Sequence, residues 1–153
     1  MKVSYSLPIA LGLLLISSQP TTGQGFNGLS VTASPATMTI STVPLAGQQP
    51  TPVTDATTSY RVTTLFGGAK KITARLNAAT PAGVTLTGTF TAPAGATSNG
   101  PVNLDVTARD VVTNINAVFN STQTITYKLS ATVAAGVVPL QSRTVTLTLV
   151  NFP

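Results

Sequence analysis

The sequence predicts an all-β protein, an antiparallel immunoglobulin-like β-sandwich of about seven or eight strands. Three observations predict it. Apolar and polar residues alternate one by one through most segments, the period of a half-buried strand. Threonine, present at 28 positions, fills much of the polar half of that alternation. Its β-branched side chain suits a pleated strand, and its hydroxyl wets the outer face without charge. Clusters of Gly, Pro, Asn and Ser separate the alternating segments at intervals of about 8–12 residues, the rhythm of a sandwich. A closed β-barrel is the alternative architecture.

The first segment stands outside that pattern. Lys2 gives a positive start, Ile9 to Ile16 is an apolar run, and Ser17-Ser18-Gln19-Pro20 breaks it. The small residues Thr21, Thr22 and Gly23 then offer a cleavage point before Gln24, with a cut after Gly25 as the alternative. This order is that of a secretory signal peptide. Residues 1–23 are expected to be removed, leaving a single domain over 24–153, secreted or at the cell surface. The apolar run is shorter than the roughly 20 residues of a membrane span, and no second such run follows.

The strands follow in order. Leu29 to Ala33 alternates, and Met38-Thr39-Ile40 resumes after Pro35 as one interrupted edge strand. Residues 43–58, rich in Pro, Gly, Gln and Thr, read as a loop. Ser59 to Phe66 and Lys71 to Leu76 form a hairpin around Gly67-Gly68. Tyr60, Val62 and Phe66 are expected inward on its first arm, and Ile72, Ala74 and Leu76 on its second. Pro81-Ala82-Gly83 turns the chain into Val84 to Thr91, with Val84, Leu86, Gly88 and Phe90 inward. A loop over 92–101 leads to a further alternating segment, Val102 to Ala108. Asp110 to Ile115 breaks the alternation; an Asp before a short apolar cluster predicts one capped helical turn crossing between sheets. Thr122 to Val133 is the longest strand, with Ile125, Tyr127, Leu129, Ala131 and Val133 on one face. A loop over 134–140 precedes the closing strand, Arg143 to Val150, whose core face is Val145, Leu147 and Leu149.

Composition removes most chemistry. Histidine, cysteine and glutamate are all absent. Imidazole acid–base catalysis, thiolate nucleophiles, disulfides and Cys or His metal sites are therefore excluded. The side-chain carboxylates are Asp55, Asp105 and Asp110. Asp105 reads as a solvated strand residue and Asp110 as a helix cap, so neither paired-carboxylate hydrolysis nor a calcium cage is marked. Gly67-Gly68 lacks a phosphate-loop pattern, and no Gly-x-Ser-x-Gly elbow occurs. Asn120-Ser121-Thr122 fits a glycosylation sequon, relevant only in a eukaryotic secretory pathway. Catalytic, cofactor and metal residues are accordingly assigned as none, and the chain as a non-enzyme. The net charge of +5 comes from missing acids, with 8 scattered Lys and Arg. No dense basic stripe exists for nucleic acid.

Two functions remain open. One is a structural subunit of an extracellular filament, whose partners are further copies or other surface subunits. The other is a monomeric secreted binding or matrix module with a self-contained sandwich, whose small-molecule ligand the sequence does not name. Ile125 to Val133, a Gly/Pro loop, and then Arg143 to Val150 resemble the last two strands of bacterial fimbrial subunits of the chaperone–usher kind. The resemblance covers about thirty residues. It implies a small exported immunoglobulin-like domain that lacks one strand and receives it from a neighbour's N-terminal extension. The cysteines of the spore-coat-U-like branch are absent here. An open sheet edge is a template for strand addition in any case. Phe26, Leu29, Val31 and Ala33 form the candidate donor segment, with Phe26 one residue out of register; the alternative is that this segment is simply the first strand of its own domain. Edge protection is sparse, with Pro35 and Lys128 among the few devices.

Overall fold

A computed structural model describes residues 1–9, 27–32, 37–41, 47–136, 138–139 and 141–153. Ten strands occur among them: β1 (Lys2–Ile9), β2 (Asn27–Val31), β3 (Val53–Thr64), β4 (Lys70–Leu76), β5 (Val84–Phe90), β6 (Thr97–Ser98), β7 (Pro101–Asn103), β8 (Arg109–Ile115), β9 (Val118–Ala131) and β10 (Gln141–Asn151). They form two open sheets, ordered β1-β10-β4-β8-β6 and β2-β3-β9-β5-β7. All strand pairings are antiparallel. The predicted sandwich is therefore the architecture, and the barrel is not. The expected seven or eight strands become ten because β6 forms inside loop-like sequence, β8 takes the place of the expected helical turn, and β1 forms in the expected leader.

Alternation places the core between the sheets. Val84, Leu86, Gly88 and Phe90 point inward from β5, and Ile125, Tyr127 and Leu129 from β9. Val145, Leu147 and Leu149 do so from β10. Phe90 sits between two tyrosines, with its ring centre 6.2 Å from that of Tyr60 and 6.4 Å from that of Tyr127. The Tyr60 hydroxyl donates to the Thr91 carbonyl at 2.5 Å, which lets a polar atom enter the core. Gly88 explains itself here. A Cβ at that position would lie 2.9 Å from Phe90 Cε2 and 3.2 Å from Leu104 Cδ1. The glycine makes room for the aromatic ring.

Several expectations are corrected. Ser59 to Phe66 and Lys71 to Leu76 do not form a hairpin: Gly67-Gly68 carries the chain from β3 of one sheet to β4 of the other. Asp110 to Ile115 is strand, not a helical turn. Two register shifts against β4 each add a residue to β8, between Ile115 and Val112 and between Val112 and Asp110. Such bulges break the period of two and bury the consecutive pair Val111 and Val112. Asn114, in the first bulge, takes φ 55°. Phe66 is 62% exposed, because β3 ends at Thr64 and the alternation stops there. Val133 is exposed because a 3-10 turn, Val133–Ala135, replaces the strand. The loop expected over 43–58 gives way to strand at Val53. The alternating segment from Val102 pairs only as far as Asn103, although Leu104 remains buried. Lys128 lies in β9, a central strand, opposite Thr54 and Thr87, so it protects no edge. Pro35 falls outside the described residues.

Two substitutions test this packing. Gly88→Ala is expected to lower the unfolding free energy by about 1–3 kcal/mol, since the ring it meets is wedged between tyrosines. The Thr58 hydroxyl is buried with no hydrogen-bond partner among the described residues. Thr58→Val keeps the shape and removes the stranded group, and is expected to raise stability by about 1 kcal/mol. Urea unfolding of both variants measures the signs; the reverse order of stability contradicts the packing described.

Candidate functional site

The three carboxylates are spent in separate local contacts. Asp105 accepts from Arg109 Nη2 at 2.6 Å and from the Thr107 backbone N–H at 2.7 Å. The Arg109 hydrogen bond, with the Thr107 N–H second, holds the Asp105 carboxyl below its usual range. The same contact pushes the Arg109 guanidinium up. Asp110 is not a helix cap but accepts from Lys71 Nζ at 3.0 Å across the β4–β8 pair. Asp55 is buried and accepts from the Thr57 hydroxyl at 3.0 Å. Among the described residues no three potential metal-ligating Asp side chains gather. Burial pushes the Tyr60 phenol up, as its place in the core requires. Two shallow grooves on the outer face of the β2-to-β7 sheet share Pro52, Thr85 and Ser130 and present more apolar than polar surface. No helix among the described residues is long and apolar enough to cross a membrane.

The feature that stands apart is a backbone edge. Four strands lie outermost in the two sheets: β1, β6, β2 and β7. β6 has two residues, β7 has three and begins with Pro101, and β2 has five. Short strands and an edge proline blunt strand addition. β1 differs, because it is eight residues long and runs beside the eleven-residue β10. β1 follows β10 without a register break, from Lys2 opposite Thr148 to Ile9 opposite Gln141.

The direction of the backbone groups on β10 follows from hydrogen-bond phase. Leu149 N–H donates to the Met1 carbonyl at 3.0 Å, and the Met1 ammonium approaches the Leu149 carbonyl at 3.4 Å. Bonded pairs recur at every second residue of an antiparallel ladder. Leu147, Val145 and Arg143, opposite Val3, Tyr5 and Leu7, therefore address β1. On the other side Asn77 N–H donates to the Thr144 carbonyl at 3.0 Å, so the even-numbered residues address β4. The odd-numbered backbone groups of β10 depend on β1. The same residues, Val145 and Leu147, carry core side chains that are fully buried.

The predicted assembly residues separate on this frame. Leu29 is buried and Val31 packs against the core, both from β2, opposite Val62 and Tyr60 of β3. They are seated in their own sheet. Phe26 and Ala33 lie outside the described residues, as does the expected cleavage region. Val145, Leu147 and Leu149 come together on β10, beside the edge. The sequence reading missed β1. The signal was present, since Val3-Ser4-Tyr5-Ser6-Leu7 alternates like the later strands, but its position assigned it to the leader. Comparison with protein-family models, curated proteins and solved structures finds no match to this chain.

The titration behaviour can be tested. With no His and no Glu, the chain has no side chain with an ordinary pKa between about 4 and 8.5. The thermal midpoint is expected to stay level between about pH 5.5 and 7. Below that, Asp105 binds its proton more readily unfolded than folded. Its contribution is present above the unfolded value and is lost as pH falls through the lower folded value. Calorimetry is expected to show a shallower acid limb for Asp105→Asn; an unchanged acid limb counts against the Arg109 contact.

Proposed function

We propose that the mature chain is a non-catalytic structural subunit of an extracellular filament, assembled by β-strand addition along β10. One observation carries this reading. The long apolar strand at the C-terminus has its odd-numbered backbone groups covered only by residues expected to leave with the signal peptide. Unpaired N–H and C=O groups along a strand edge are a template for a further strand. Removing β1 turns the side of β10 into a row of such groups beside core side chains. An extended segment from a second copy, laid antiparallel against Gln141 to Thr148, restores every bond.

The fimbrial resemblance points the same way, since it implies a subunit short of one strand. The poor charge of the surface supports it too, because charged edge residues normally discourage strand pairing. Leu29 and Val31 are weaker donors than their alternation suggests. Donating them strips β3 of its neighbour and empties the Leu29 site.

A second reading, the stand-alone adhesion or matrix module, is favoured by a different observation. Phe119 is 74% exposed and Phe66 62% exposed. Both follow the pairing of Thr64 with Val118, so they crown the same end of the sandwich.

Electron microscopy and sedimentation of the exported chain separate the two. Filaments are expected from the native chain. Arg143→Pro removes one N–H from the proposed acceptor edge without touching a core side chain. It is expected to leave a folded monomer by circular dichroism and to shorten or abolish filaments. A native chain that stays monomeric at every concentration rejects assembly and favours the adhesion module.

A further inference from the structure

The strand that covers β10 belongs to the same chain. It lies at the seam of the sandwich, paired to β10 of one sheet, while Met1 Sδ accepts from the Leu29 N–H of the other sheet at 3.2 Å. Its phase carries a further detail. Val3, Tyr5 and Leu7 occupy the bonded positions opposite Leu147, Val145 and Arg143, so their N–H groups face β10. Pro8, opposite Ser142, falls on the other phase. Its missing N–H faces away from β10, where no ladder bond is lost. A proline on the outward phase of an outermost strand also discourages any further strand from joining. The segment therefore pairs fully on one side and is blunted on the other.

We propose that residues 1–9 act, while attached, as a placeholder strand that closes the β10 edge in cis, so that a second copy can add a strand only after they are removed or displaced. The geometry of closure stands by itself. Its consequence, control of assembly, rests on the strand-addition reading above. A leader segment with this role gives a precursor that can fold without polymerising. It also makes cleavage the event that opens the acceptor edge.

Proline placement tests the proposal in the full chain, produced without export so that residues 1–9 stay attached. Val3→Pro with Tyr5→Pro removes two N–H groups that face β10. Ser4→Pro with Ser6→Pro places the same rings on the outward phase that Pro8 already occupies. Amide hydrogen exchange is followed at dilutions where the chains are monomeric, and sedimentation at rising concentration. The native chain and the Ser4/Ser6 variant are expected to protect Val145 and Leu147 and to remain monomeric. The Val3/Tyr5 variant is expected to lose protection at Val145 and Leu147, to keep it at Thr144 and Thr146, and to associate as concentration rises. Retained protection of Val145 and Leu147 in that variant overturns closure by residues 1–9. Equal loss in both variants overturns the assigned phase and the proposal with it. Lost protection in a chain that never associates leaves closure standing, rejects the assembly reading, and with it the control of assembly.

Discussion

A strand inside a sheet needs a neighbour on each side, and one of the two neighbours of β10, β1, is formed by residues read as a removable leader. The even-numbered backbone groups of β10 are matched by β4, which β8 flanks on its other side. Its odd-numbered groups are matched by β1. That asymmetry falls on the strand that contributes Val145, Leu147 and Leu149 to the core. The packing of the sandwich and the closure of its edge are thus one problem. If the edge opens, water reaches core side chains and ladder groups together, and the domain is driven to find another strand.

The rest of the molecule is consistent with a domain stabilised by shape and ladders alone. No disulfide is available, and two ion pairs, Lys71–Asp110 and Arg109–Asp105, link charged side chains at the surface. Exposed pairs of this kind contribute little. The core does most of the work through Tyr60, Phe90 and Tyr127, with Gly88 cut back to admit the Phe90 ring. Outside, threonine supplies hydration where other domains place lysine and glutamate. The result is a surface that is polar but offers few charges to repel a second copy.

Most of the fold was legible because alternation reports directly on which face a residue occupies. Val84 to Phe90, Ile125 to Leu129 and Val145 to Leu149 all lie as their spacing predicts. The failures have local causes. At Asp110 to Ile115, two bulges put Val111 and Val112 inward together, and a broken alternation imitated a helical turn. At Phe66 and Val133 the pattern ran past the end of the ladder that gave it meaning. Val53 to Thr58 looked like loop because proline and glutamine precede it. The candidate site was half legible. The inward face of β10 could be read from sequence, but its unmatched edge could not, because strand order is a property of the whole fold. Leu29 and Val31 offered a donor pattern, yet an edge strand of the same domain carries the same pattern.

The central claim concerns what lies beside Gln141 to Thr148 once residues 1–9 are gone. Electron cryo-microscopy of the exported assembly answers it most directly. The account predicts an antiparallel strand from a neighbouring copy in that position, bonded to Arg143, Val145 and Leu147. Copies that touch through other surfaces, with this edge bare or covered by a strand of the same chain, would contradict it.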